Sequence, residues 1–147
     1  LKVIAPPDPR QVRNAVKHDL NSLFLVLGGV SLLVGAIGIA NVTLVSVLER
    51  VGEIGLRRAL GAGRRHIAAQ FLLESTVMGL MGGAVGASVG ILVVVGVAAS
   101  RQWTPVLDPW IPLAAPVLGA AIGLASGTYP SLRAAALEPV EALRSGT

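Results

Sequence analysis

Three stretches of the chain carry no Asp, Glu, Lys or Arg: Leu20 to Leu48, Ser75 to Ser100 and Pro109 to Leu132. Each is longer than the roughly 20 residues that cross about 30 Å of hydrocarbon at about 1.5 Å per residue. Wholly apolar runs of a soluble core seldom pass about 14 residues. The pattern predicts an all-α membrane protein with three transmembrane helices, over residues 21–48, 75–100 and 110–132. Between and around them lie a lead-in (1–20), a charged segment (49–74), a short loop (101–109) and a tail (133–147).

The lead-in and the charged segment also have helical grammar. Asp8 can cap and Pro9 suits a first helical position. Val12, Val16, Leu20, Leu23 and Leu27 then recur at helical spacing. One helix is therefore expected from near Pro9 into the first span, with about 12 residues, roughly 18 Å, outside the bilayer. Segment 49–74 reads as two short helices broken at Gly61-Ala62-Gly63, the second, Arg64–Glu74, leading into the next span. Glu53 stands four residues before Arg57, the favourable ion-pair order. Ile54, Leu56, Ala59 and Leu60 offer apolar contact points, and Ile67, Phe71 and Leu72 face one way on the second piece. A short, charged, amphipathic helix of this kind suits docking to a soluble partner.

Small residues recur every four positions. Gly82, Gly86 and Gly90 form one row in the second span, and Gly79 with Gly83 forms another. Gly119, Gly123 and Gly127 form a row in the third span, and Ser31, Gly35 and Gly38 share nearly one face of the first. Such rows are grooves that admit a second helix closely. The spacing leaves open whether that helix is in the same chain or another subunit.

Composition supports the membrane reading. The chain is 53% hydrophobic and 14% charged, against about 25% charged in soluble domains, so it holds too few charges to cover a soluble surface. Cysteine is absent, which removes disulfides, thiolate nucleophiles and Cys-ligated metals. The net charge of +4 is accounted for by cytoplasmic loops. Arg50, Arg57, Arg58, Arg64 and Arg65 put 49–74 inside and leave 101–109 outside. The tail then falls inside and 1–20 outside, against the basic Lys2, Arg10, Arg13 and Lys17. That tension eases if 1–20 ends a large external domain, because long domains translocate largely regardless of charge. The first residue is Leu1 rather than Met, which suggests a processed product or a fragment.

Recognisable catalytic chemistry is missing. No phosphate loop is present, and Gly61-Ala62-Gly63 interrupts a helical pattern rather than following a strand. His18 and His66 lack ligand neighbours at metal spacing, and no serine sits in a nucleophile elbow. The Arg pairs have no aromatic platform for RNA. No Asp, Glu, Lys, Arg or His lies within a span, which disfavours an ion-coupled transporter. Asn41, the most polar deep side chain, is expected to find its partner on a neighbouring helix rather than to line a substrate path.

The run from Glu49 through Gly52-Glu53-Ile54-Gly55-Leu56-Arg57-Arg58-Ala59-Leu60-Gly61-Ala62 resembles the signature of the MacB/FtsX-type ABC permeases. Gly35–Asn41, Gln70–Ser75, Tyr129–Ala135 and Glu138–Arg144 resemble the same family's flanking and closing motifs, in order. The resemblance implies a multi-pass bacterial cell-membrane permease, here its last three spans, working as a dimer with an ABC nucleotide-binding subunit or domain. ATP and Mg would be bound by that partner, with no cofactor in this chain and no catalytic residue. Glu49, Glu53, Ile54, Gly55, Leu56, Arg57, Arg58, Ala59, Leu60 and Gly61 would form a coupling helix on the ATPase, with Ile54 and Leu56 as apolar anchors and Arg57 and Arg58 bonding its carboxylates. Closure there would drive external movement and export, as in macrolide or peptide efflux or lipoprotein release, with periplasmic or cell-surface partners possible and no nucleic acid. Two alternatives stand beside this: a signalling device controlling cell-wall hydrolases, and an ATP-independent scaffold or channel. In the tail, Pro139 is expected to open a short helix with Val140 and Leu143 on one face, Glu141 and Arg144 being more exposed, lying along the membrane surface.

Single cysteines placed at Arg64 and at Gln102 should label from opposite sides of the membrane, as tested with an impermeant maleimide on intact cells and inverted vesicles. Labelling from one side would refute the topology.

Overall fold

A chain inside hydrocarbon must satisfy its own backbone hydrogen bonds, so apolar runs of this length become helices. The computed structural model describes residues 9–136 and is all-helical: α1 (Pro9–Glu49), α2 (Val51–Ala59), α3 (Arg64–Arg101) and α4 (Ile111–Ala136). Three of these, α1, α3 and α4, are long and apolar enough to cross a membrane. The expected cap at Asp8 and the tail helix from Pro139 lie outside the described residues.

The contacts divide the chain into two units, meeting between Gly35 and Ala36. In the first, every side chain from Arg10 to Gly35 is exposed, including Leu23, Phe24, Leu25, Val26 and Leu27. A helix apolar on all sides is one whose surroundings are lipid or other apolar helices. Ser22 and Ser31 return their hydroxyls to the carbonyls of Asp19 and Leu27, so neither presents an unpaired donor to hydrocarbon.

The second unit is built on the α3–α4 hairpin. Ser75, Gly79 and Gly83 form a row on α3, and Ala115, Gly119, Gly123 and Gly127 form the facing row on α4. A Cβ at Gly79 would collide with the Gly119 carbonyl oxygen, and one at Gly119 with that of Gly79. Gly83 meets the Ala115 carbonyl in the same way, Gly123 the Ser75 carbonyl, and Gly127 the Ser75 Oγ. The pairing is antiparallel and backbone to backbone. Ser75 is fully buried and donates to the carbonyls of Phe71 at 2.9 Å and Leu72 at 3.1 Å, so its hydroxyl costs nothing at the seam. Of the two glycine rows that α3 offers, this chain uses Gly79 and Gly83. Gly82, Gly86 and Gly90 meet nothing within 4 Å, nor do Gly35 and Gly38 of α1.

The loop between α3 and α4 is held at both ends. Gln102 takes a left-handed conformation with φ of 53°. Trp103 N–H then reaches the Ala98 carbonyl at 2.9 Å, and Gln102 N–H the Ala99 carbonyl at 3.3 Å, which closes the end of α3. The Arg101 guanidinium lies 5.9 Å from the Trp103 ring centre. At the start of α4, Asp108 accepts from the Trp110 N–H through its side chain and from the Ile111 N–H through its carbonyl. Trp103 and Trp110 are both exposed at this end of the hairpin, the placement of an interfacial aromatic belt. Pro112 falls in the first turn of α4, where no N–H is needed; Pro116 and Pro130 lie within the helix.

Gly79→Ala and Gly123→Ala should each lower the detergent-solubilised melting temperature. The roughly 1 kcal/mol of helix propensity gained by Ala is overwhelmed by a backbone collision. Gly96→Ala, where nothing lies within 4 Å, should be neutral or stabilising in the same thermal-shift assay.

Candidate functional site

The end of the hairpin away from the tryptophans gathers the charged segment. α1 and α2 are separated by one residue, Arg50, at φ −104° and ψ 15°. Arg50 N–H is shared between the carbonyls of Ser46 and Val47, each at 3.2 Å, and the Arg50 carbonyl accepts from Ile54 at 2.9 Å, so the joint stays bonded while the axis turns. α2 ends with Gly61 N–H on the Arg58 carbonyl at 3.1 Å and Ala62 N–H on the Arg57 carbonyl at 2.9 Å. This paired closure requires a left-handed residue, and Gly61 supplies it with φ of +95°. The break expected at Gly61-Ala62-Gly63 is therefore a helix stop. The second helix expected, starting at Arg64 and leading into the next span, is the first part of α3, which runs unbroken from Arg64 into the apolar stretch.

Beneath α2 lies a small apolar core of Val47 from α1, Ile54 from α2, Ile67 and Phe71 from α3, and Ala134 from α4. Phe71 is 1% exposed and Ala134 0%. Around this core three arginines brace the junction. Arg57 Nη1 donates to Gln70 Oε1 at 2.8 Å, and Arg57 Nη2 pairs with Glu53. Arg58 Nη1 donates to the Ala135 carbonyl at 2.8 Å. Arg50 Nη1 lies 3.7 Å from Glu74 Oε2.

This arrangement sorts the ten residues of the expected coupling helix. Ile54, at 4% exposure, and Gly55 face inward, so Ile54 is occupied by the internal core and is not free as an outward anchor in this structure. Arg58 is half-buried on α4. Leu56 at 55% exposure and Leu60 at 80% point outward, flanked by Gly52, Glu53, Arg57 and Ala59. Glu49 and Gly61 are also exposed. Gln70, Glu74 and Ala135 belong to the junction although the sequence did not single them out for it. Gln70 could have been suspected as the polar residue one turn before Glu74 on a helix entering the membrane; a backbone carbonyl such as that of Ala135 leaves no signal. Asn41 is exposed on α1, beside Gly38, Val42, Val45, Ser46 and Glu49 along an open groove, so its expected neighbour is not found among the described residues.

Residues 25–139 match the FtsX-like permease C-terminal family. The chain belongs to this family. It is 44% identical over 91% of its length to the macrolide export ATP-binding/permease protein MacB of Rhodopirellula baltica, and 43% identical over 92% to MacB 1/2 of Paracoccus denitrificans. It is 47% identical over 80% of its length to the uncharacterized ABC transporter permease YknZ of Bacillus subtilis. The chain spans 20% and 21% of the two MacB proteins and 30% of YknZ. The resemblance carried by Glu49–Ala62 and its flanking runs thus holds, and the matched region is a permease region. With three helices long enough to cross a bilayer, this family member is a multi-pass bacterial membrane protein.

Phe71→Ala should release α2, since emptying such a site costs about 3–5 kcal/mol. Hydrogen exchange of residues 51–59 is expected to accelerate while protection across the Gly79–Gly119 seam persists. Equal acceleration of both would show that the core and the seam open together.

Proposed function

We propose that this chain is the membrane-spanning part of an ABC transporter of the MacB/FtsX kind, with α2 as the cytoplasmic coupling helix on which a nucleotide-binding subunit or domain is seated. ATP and Mg act on that partner. Its closure displaces α2, and the membrane helices carry the displacement to the external side, where it serves export. A second permease copy completes the assembly. The names of the MacB relatives, which join an ATP-binding and a permease function, support this reading.

The observation that carries the proposal is the division of α2 into two faces. One face is spent on an internal core, which holds the helix rigid. The other presents Leu56 and Leu60, large apolar side chains with no cover among the described residues, between Glu53 and Arg57. A helix of nine residues buries little area, so a few side chains must dominate any contact it makes. Two exposed leucines rimmed by charge fit a hydrophobic cleft on a soluble partner better than they fit headgroups.

Leu56→Asp in the full-length protein should weaken capture of the nucleotide-binding partner by about 30-fold or more, the loss typical of a hot-spot residue. Membrane insertion should be unchanged, because Leu56 contributes nothing to the internal core. Pull-down and stimulated ATPase activity in proteoliposomes provide the measurement, and undiminished capture would reduce α2 to a membrane elbow.

A further inference from the structure

α2 is tied to α3 redundantly. The two are joined by a short turn, share the core of Ile54, Ile67 and Phe71, and are bridged by Arg57 and Gln70. Its tie to α4 is sparse. Ala134 contributes a methyl group to the core, and Arg58 reaches the Ala135 carbonyl. Among the described residues no other side-chain hydrogen bond joins α2 to α4. The bond is charge-assisted, with a guanidinium donor, and Arg58 is half-buried where it is made. The acceptor is a main-chain atom, so what Arg58 grips is the α4 backbone itself rather than a mobile side chain.

We propose that Arg58 is a positioning residue: a strut that makes α4 move with α2, and not a contact to the ATPase. This rests on the reading of α2 as the coupling helix. A load on Leu56 and Leu60 passes into α3 through the shared core. Without the strut, α4 follows only through the glycine seam and the single methyl of Ala134. With it, α2, the start of α3 and the end of the described α4 form a three-point frame, and the hairpin is displaced as a body instead of being pried apart. The guanidinium suits this role because its planar fork holds a fixed direction, whereas a lysine ammonium is a point donor on a flexible stem.

The test uses the full-length protein carrying this chain, reconstituted with its nucleotide-binding partner. Arg58→Gln, Arg58→Lys and Leu56→Asp are compared without labels for capture and coupling. The first two, with an Arg58 control, are prepared separately with spin labels at the exposed Leu60 and Leu132 for the distance measurement alone. Arg58→Gln should broaden the Leu60–Leu132 distance distribution, leave partner capture within about twofold, and lower export per ATP hydrolysed by roughly tenfold, the scale of one charge-assisted hydrogen bond. Arg58→Lys should recover part of both the narrow distribution and the coupling ratio, which a merely space-filling role would not produce. Unchanged distances, or a normal coupling ratio, in Arg58→Gln would overturn the strut. So would loss of partner capture in that variant, which would return Arg58 to the docking face. Leu56→Asp reports on docking alone: if it captures and couples normally, the coupling-helix reading fails, while the spin-label distances still decide whether Arg58 holds α4.

Discussion

The carbonyl oxygen of Gly79 occupies the space where a side chain at position 119 would begin, and the carbonyl of Gly119 does the same to position 79. Everything else in the second unit depends on that exchange. Lipid tails are as apolar as leucine, so two membrane helices gain little by hiding hydrophobic surface from lipid; they associate by close packing. Two backbones can approach this closely only where no Cβ intervenes. The small residues of α4 continue at the same spacing beyond the seam, through Ser131 to Ala135, and both are buried. The groove that brings α4 against α3 thereby also brings Ala134 and Ala135 to the place where α2 is received.

The junction at α2 divides its labour between two kinds of force. The core of Val47, Ile54, Ile67, Phe71 and Ala134 supplies non-directional burial. The arginines add direction. Pairs as exposed as Arg50 with Glu74 or Arg57 with Glu53 contribute little to stability and bias the lie of α2 only weakly. Arg58, less exposed and bonded to main chain, fixes its distance from α4.

Much of this was legible beforehand. Charge-free runs located the three long helices, because a bilayer admits few alternatives for such segments. Gly61 was legible as a break, because the stop it makes is local chemistry within one helix end. The choice between the Gly79 and Gly82 rows was not. A helix displays both, and the one that is used is set by where the loop after Trp103 returns the chain. The faces of α2 were ambiguous for a related reason. Ile54 and Leu56 are equally apolar, and only the position of Phe71, brought back by the turn at Gly61, decides which of them is buried. Arg57 and Arg58 carried the right donor chemistry for a carboxylate partner, but the acceptors they take here include an amide on α3 and a main-chain oxygen on α4, and the latter has no residue type to betray it.

The seam also limits how α3 and α4 can move past each other. Its small residues are spaced four apart, so a slide of one, two or three residues drives Cβ atoms into carbonyls along the row. A four-residue step, about 6 Å at about 1.5 Å per residue, fares no better: it sets Ser131 in the place of Gly127 or Ala115 in the place of Gly119, where a Cβ has no room. Along its axis the pair therefore has no soft motion. The hairpin behaves as a toothed rod rather than as two greased cylinders: the seam bars its helices from sliding along each other, while splaying of their ends is resisted by other contacts.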